Sequence, residues 1–346
     1  MVKQVTGFDV ARRAGVSQPT VSRALRNLPG TSPETRERVL RAAAELSYTP
    51  SDAARSLSMR STRRIAVVSE ELTNPYYPEL VEPLRRHLAE HDLRTVVVTD
   101  TDHRAIGLDA LADGSYDGVI LTTTSRRSAL PRDLSERGVP HVLVNRVLDR
   151  AESHSCSVDN RGGAAAIAAL LADLGHRRVA SIQGPVTTST GLERGEALRR
   201  GLARRGIALR RNATVRTAFG HDPGRAAAHE LLGRPDLPTA VVCGNDVIAL
   251  GVLSAARERG IAVPADLTVI GFDDIPMAGW PLVDLTTVHC DLEALAAAAV
   301  DLLVADIRDP GGAPVERRIP VSLVLRGTHG RAGATDATAP RRDPVA

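Results

Sequence analysis

Residues 6–28, T-G-F-D-V-A-R-R-A-G-V-S-Q-P-T-V-S-R-A-L-R-N-L, constrain the fold of this chain more tightly than any other stretch. Val10, Ala11 and Ala14 fall three and four apart, which gives one apolar stripe on a short helix. Thr6 and Asp9 stand in capping-box spacing at its start, where free backbone N–H groups need acceptors. Gly15 follows the stripe and supplies the left-handed residue that a tight turn requires. Val16 then returns to the core and Ser17 can cap a second helix. On that helix Val21, Ala24 and Leu25 face inward and Gln18, Pro19, Ser22 and Arg23 face outward. Pro19 is harmless in a first turn, because the N–H it lacks would have been unpaired there. Two short helices, a glycine turn and a polar outer face predict a helix-turn-helix whose second helix enters a DNA major groove. An αα-hairpin inside some other helical domain is the alternative.

Charge is distributed unevenly. Residues 1–64 hold 12 Lys/Arg against 5 Asp/Glu, a net of +7, and the remainder of a chain whose total is +3 therefore carries −4. A basic head on a mildly acidic body fits a protein whose head alone meets phosphate. Most of the basic residues are Arg, which suits bidentate contacts. Cys156, Cys243 and Cys290 are widely separated and have no metal-ligand spacing, so a reducing, cytoplasmic setting is expected. No apolar leader or membrane-length apolar run appears, and the expectation is a protein neither secreted nor membrane-spanning.

The run D-V-A-x-x-A-G-V-S-x-x-T-V-S-R closely resembles the DNA-binding headpiece of the lactose-repressor (LacI/GalR) family. After a loop at 27–30, Ser32 caps a third helix with Pro33 in its first turn. Val39, Leu40, Ala43 and Leu46 are its expected core stripe, with Arg36, Arg38 and Arg41 on solvated faces and Pro50 breaking the helix. Two residues depart from the family pattern. Gly7 stands where Ile or Leu is usual, and Ser47 replaces the usual glycine before Tyr48. The resemblance implies that Ser17, Gln18, Pro19, Thr20, Ser22, Arg23 and Asn27 lie against DNA. It also implies that 51–64 is a hinge that becomes helical on operator DNA. There Ala54 and Leu57 of the A-R-S-L run face the duplex, and Leu57 is wedged into the minor groove. An ordinary linker is the alternative for this segment.

From residue 65 the pattern changes to strand–helix alternation. Apolar runs at 65–69, 95–100, 118–121 and 141–145 form one set, with a helix over 77–90. A second set follows at 178–183, 215–218, 240–243 and 268–272, then a helix over 292–307 and a last strand at 321–325. Continuous Val/Ile/Leu runs alternating with helices predict buried parallel sheets. The expected fold is therefore an all-α helix-turn-helix headpiece on an α/β body of two Rossmann-like parallel sheets. By resemblance that body is periplasmic-binding-protein-like, and its chain crosses three times between lobes. The expected division is 1–50 headpiece, 51–64 hinge, 65–328 body and 329–346 disordered tail. Within the body the first lobe comprises 65–159 and 291–317, the second 160–290 and 318–328. No leucine heptads follow Thr328, so a homodimer through the body is expected rather than a tetramer.

Ligands of open α/β lobes bind beyond the carboxyl ends of the strands. There the first lobe offers Tyr76, Tyr77, Asp100 and Asn145, the last followed by Arg146, and the second offers Thr190, Arg194, Phe219, Asn245 and Asp273. Asp, Asn and Arg can chelate neighbouring hydroxyls while Tyr and Phe stack on an apolar face, which suits a small polyhydroxylated ligand. By resemblance Arg194, Asn245 and Asp273 match family effector-binding positions and Phe219 the aromatic platform. Around Arg194 the family's R-x-x-G-F is altered, with Ala197-Leu198 in place of the Gly-aromatic pair. Packing at the lobe interface is the alternative for Tyr76 and Tyr77, and helix capping for Asp246 and Asp274.

His87 and His91 have zinc-ligand spacing but no third partner, and Gly162-Gly163 reads as turn chemistry. No Walker A or nucleophile-elbow motif is present. No catalytic residue, metal or cofactor is therefore expected. The resemblance implies a sequence-specific transcription regulator of repressor type, acting on a palindromic operator under control of a small effector. A sugar or sugar derivative is the expected effector, with a nucleobase or nucleoside as the alternative. From another class, a sugar-binding transport protein would share the lobes but have an export signal and no basic head.

Overall fold

The computed structural model describes residues 5–25, 27–48, 61–69, 72–99 and 107–333. Ala54, Leu57 and Asp100 lie outside the described residues, as do 51–60 of the expected hinge and 334–346 of the expected tail. The described chain forms two compact units that meet in sequence between Arg63 and Arg64.

The first unit is a bundle of α1 (Gly7–Ala14), α2 (Gln18–Leu25) and α3 (Pro33–Glu45). Asp9 accepts from the Thr6 amide and hydroxyl at 3.0 and 2.7 Å, and Gly15 closes α1 at φ 63°. Val10, Ala11, Ala14, Val21 and Ala24 pack on Val39, Ala42 and Ala43. Leu40 departs from the expected stripe and is 45% exposed. The inward row runs Val39, Ala42, Ala43, Leu46, and Leu40 lies one residue, about 100°, off it. α3 also ends before Pro50. Leu46 caps it, and Ser47 takes a left-handed φ of 49°, which explains why glycine is usual there. Arg38 is not merely solvated, since its Nε donates to the Ala14 carbonyl at 3.0 Å and satisfies a free end of α1. Gly7 lies under Tyr48, where a Cβ would come 3.2 Å from the hydroxyl.

In the second unit, one sheet is built from β1 (Arg64–Val68), β2 (Arg94–Val98), β3 (Gly118–Leu121), β4 (His141–Val144), β5 (His154–Val158) and β11 (Glu316–Ile319). Its order is β11-β5-β4-β3-β1-β2, with every pairing parallel. Around it lie α4 (Tyr76–Glu90), α5 (Leu108–Ala112), α6 (Leu130–Glu136) and the late helix α11 (Leu292–Arg308). α11 packs on α4 and on β3 to β5.

The second sheet has the order β7-β6-β8-β9, again all parallel, from β6 (Val179–Gln183), β7 (Thr214–Arg216), β8 (Ala240–Cys243) and β9 (Thr268–Ile270). It is flanked by α7 (Asn160–Asp173), α8 (Ser189–Ala203), α9 (His221–Leu232) and α10 (Asp246–Glu258). β10 (Thr287–Cys290) continues beside β9 through isolated bridges and pairs antiparallel with β12 (Val321–Val324). The chain thus passes between lobes after β5, after β10 and after β11.

Three strands escaped the apolar-run reading. β5 is H-S-C-S-V and β11 is E-R-R-I, so polar residues interrupt the run, and β10 is T-V-H-C. β11 holds the chain in the first sheet through Ile319, two residues beyond the expected return. The expected tail begins too early as well. Gly330 accepts from His176 at 3.0 Å, and the Ala332 amide donates to Leu174, which tie 330–332 to the second lobe.

Candidate effector cleft and DNA-reading helix

Strand ends place the pocket residues. The bend after β4 carries Asn145 at φ 71° and Arg146 beside it, both buried. The bend after β9 carries Asp273 at φ 115°, also buried. Such backbone is disfavoured for residues with a Cβ and persists where surrounding structure dictates it, commonly at ligand sites. α4 begins at Tyr76 with Asn74 upstream, α8 contributes Thr190 and Arg194, and Asn245 caps α10 by accepting from the Ile248 amide at 2.9 Å. Tyr76, Tyr77, Asn145, Thr190, Arg194, Phe219, Asn245 and Asp273 come together between the lobes, joined by Asn74 and Arg146.

At its centre the Arg194 guanidinium meets the Asp273 carboxylate at 2.9 Å, with both side chains almost fully buried. Arg194 also donates to Asn160 Oδ1 and to the Gly244 carbonyl, each at 2.8 Å, and lies 3.7 Å from the Phe272 ring centre. Leu198, which replaces the family's aromatic, is buried in the core and leaves this anchoring intact. Burial pushes the Asp273 carboxyl up to about 6, with Arg194 and then Arg146 pulling the other way. Asp246 is raised well above the usual carboxylate range, first by burial and then by Asp273. It accepts from the Ile275 amide at 2.9 Å and from the Thr287 hydroxyl, so it braces the loop of Asp273 while Asn245 does the capping. Asp274 is not a cap either. It pairs with Arg326 at 2.7 Å and His289 at 2.9 Å.

Aromatic side chains close the cleft. The Arg146 guanidinium lies 5.8 Å from the Tyr77 ring centre and 5.6 Å from that of Phe219, so it bridges the lobes. Asn74 donates to the Phe219 carbonyl at 3.4 Å, and the Val147 amide donates to Ser189 Oγ at 2.9 Å. The enclosed space is about 20 Å³, room for about one water. Tyr76 is buried edge-on to Tyr77, and its hydroxyl has no hydrogen-bond partner among the described residues. Asn74 had a legible signal, because N-P-Y-Y lets its Oδ1 take the Tyr76 amide in an Asx turn, here at 3.2 Å.

On the first unit, Ser17, Gln18, Pro19, Arg23 and Asn27 are exposed and Thr20 and Ser22 half-exposed. The Ser17 and Thr20 hydroxyls bond each other at 2.8 Å, and Ser17 Oγ accepts the Thr20 amide at 3.4 Å, capping α2. Asn27 turns the chain out of α2 at φ 53°. The zinc spacing on α4 has another explanation, since His87 Nε2 meets Glu293 at 2.8 Å and no metal-binding cluster occurs among the described residues. Gly162-Gly163 lies inside α7. The Gly162 amide is taken by Asp159, and a Cβ on Gly163 would come 2.7 Å from the Phe272 ring. All three cysteines are buried, and burial raises each thiol, Cys156 to about 12. No helix among the described residues is long and apolar enough to cross a membrane.

A helix-turn-helix unit joined to a two-lobed body with a polar interlobe cleft defines a DNA-binding transcription regulator governed by a small effector. The signature of bacterial regulatory proteins of the lacI family matches residues 8–51, and that of a periplasmic binding protein-like domain matches 168–329. An HTH-type transcriptional regulator from the aml 5′ region of Streptomyces limosus is 35% identical over 334 residues, 92% of this chain and 93% of that one. The chain belongs to the lacI family. Its fold is similar to the regulator CelR in complex with cellobiose (TM-score 0.72, 32% identity, 94% of this chain and 100% of that one). It is also similar to the lac repressor dimer bound to operator and an anti-inducer (TM-score 0.82, 27% identity, 95% and 100%).

Proposed function

We propose that the chain is a homodimeric repressor that holds a palindromic operator with α2 and its hinge, and that a sugar in the interlobe cleft sets its operator affinity. The buried Arg194–Asp273 pair beside the Phe219 ring carries this reading. Arg194, Asp273 and Asn245 would take vicinal hydroxyls, and Phe219 and Tyr77 the apolar face of a pyranose, with Asn74, Asn145, Arg146 and Thr190 around them. The cellobiose complex of CelR supports a sugar. Small-ligand pockets occupy about 300 Å³ or more, so sugar entry requires the lobes to part and Arg146 to leave Phe219. The effector would thereby favour one lobe arrangement, and its control of DNA binding is limited to that preference.

The division is read as a headpiece over 1–50, a hinge from 51 and a body that starts at Arg64, where the two compact units meet, working in the cytoplasm where operator DNA lies. Trp280 and Leu282 are exposed and line a groove of about 820 Å³ in the second lobe, which supports a body-mediated dimer. Light scattering should give a dimer for the wild type and a monomer for Leu282→Asp. A gel shift on the DNA upstream of its own coding sequence, with and without cellobiose, other sugars and purine bases, tests the whole reading. Retarded DNA that a sugar changes is expected. A response to purines alone would overturn the sugar assignment, and no retardation at all would overturn the operator.

A further inference from the structure

We infer that the second lobe carries another ligand site, built for a small phosphomonoester, at the amino ends of β6, β7 and β8. These are the opposite ends of the strands that carry the effector cleft. A cavity of about 320 Å³ opens there, a size suited to a small metabolite. Its floor is apolar and buried, from Val179 and Ala180 at the start of β6 and Leu231 near the end of α9. Its walls include Arg177, Arg178, Arg210 and Arg234, with Asp236 as the acidic residue among them.

Four guanidinium groups around one pit stand out in a stretch, residues 65–346, whose net charge is −4. Their partners are loose or fixed in a way that aims them. Arg178 and Arg210 share Asp236 at 4.0 and 3.4 Å, distances a competing dianion can improve on. The Arg178 Nε donates to the Leu237 carbonyl at 3.1 Å, which fixes the side chain across the mouth. Arg234 is held by Glu230 at 2.6 Å and by the Asn212 carbonyl. Arg177 donates to the carbonyl of its neighbour His176 and, among the described residues, pairs with no acid. Guanidinium forks match phosphate oxygens two at a time, and low-dielectric walls concentrate their field. An apolar floor below a cationic rim takes a carbon body below a phosphate. That combination favours a phosphomonoester over inorganic phosphate, which would leave the floor unused, and over a neutral sugar, which would leave the rim unused.

The inference stands independently of the effector reading, and calorimetry on the full chain separates the two. Glycerol 3-phosphate and glucose 6-phosphate are titrated against inorganic phosphate, into wild type, an Arg178→Ser/Arg210→Ser double variant and Asp273→Asn. Both substituted arginines are exposed, so the double variant keeps the fold. At least one of the two esters should bind more tightly than about 1 mM, weaken about tenfold or more in the double variant and be unchanged in Asp273→Asn. The double variant should keep its sugar response. The site is overturned if neither ester binds, if the double variant binds as wild type, if Asp273→Asn loses the ester to the central cleft, or if inorganic phosphate matches the esters, which would mean an adventitious ion only.

Discussion

Arg194 and Asp273 face each other at 2.9 Å in the closed cleft, yet the carboxyl of Asp273 is raised to about 6. Desolvation therefore outweighs the attraction of its partner, and the pair is held by the surrounding structure rather than by its own charge balance. Asn160, the Gly244 carbonyl and the Phe272 ring fix Arg194, while Asp246 fixes the loop that presents Asp273. In the proposed function a pair so held would become available to ligand hydroxyls once the lobes part.

A pH dependence follows for Asp273. Its folded pKa lies above the ordinary 3.8, so its contribution to stability is full below pH about 4 and is lost as pH rises through about 6. Asp246, raised in the same direction, adds to the trend, while Arg194 and Arg146 oppose it at Asp273. Effector binding runs the other way, because hydroxyls donate to the ionised carboxylate, and affinity should weaken as pH falls below about 6. In Asp273→Asn the affinity should lose this step. The variant, neutral at every pH, should also stay close to the wild type in stability at pH 7, because the ionised carboxylate it removes is the form that burial disfavours. Titration of effector between pH 5 and 8 and chemical denaturation at pH 7 measure the two effects. A wild-type affinity that is flat across that range would remove Asp273 from the contact set.

Gly184 makes the aromatic wall possible. A Cβ there would lie 2.0 Å from the Phe219 ring, so Gly184→Ala must displace that ring. Effector response should be lost or shifted by more than tenfold, and operator affinity without effector should stay within a few-fold. Anisotropy titrations with labelled operator, with and without sugar, check both. An unaltered effector midpoint would mean that Phe219 does not form the platform.

Much of this cleft was legible because strand ends in an α/β lobe are set by topology. Asp273 and Asn145 each follow a continuous apolar run, and those runs could be read directly. β5, β10 and β11 could not be read that way, since their polar residues are accommodated by long-range pairing that no local window registers. Leu40 shows the same limit within a helix, where a one-residue phase difference separates a core side chain from an exposed one. Arg146 is a third case. Its reach from the first lobe to Phe219 in the second depends on how the lobes meet, which the sequence does not encode locally.

Ser47 offers a gain in stability. Its φ of 49° costs a residue with a Cβ about 1–2 kcal/mol relative to glycine, partly offset by glycine's greater freedom when unfolded. Ser47→Gly should therefore stabilise the headpiece by about 0.5–1 kcal/mol, with no loss of operator affinity. Thermal denaturation followed by helical circular dichroism on a headpiece-weighted signal detects this. A lowered midpoint would indicate that the Ser47 hydroxyl has a role the backbone does not explain.

The two kinds of DNA contact expected of the chain can be separated with Arg23 and Leu57. Arg23 lies exposed in the last turn of α2, on the face away from Val21 and Ala24, and its proposed role is to read base edges in the major groove. Arg23→Ala should cost about 1–3 kcal/mol per half-site and relax the preference at particular base pairs. Leu57 has no hydrogen-bonding group, so its expected role is to open a base step between half-sites. Pyrimidine–purine steps unstack most readily, and the operator centre should be one of them. Leu57→Ala should then weaken binding and reduce DNA bending while leaving selection at the outer bases unchanged. Selection from random DNA with the wild type and both variants, together with a bending assay by circular permutation, reads these effects separately. The assignment is lost if Leu57→Ala shifts outer-base preference, or if Arg23→Ala leaves every base preference as it was.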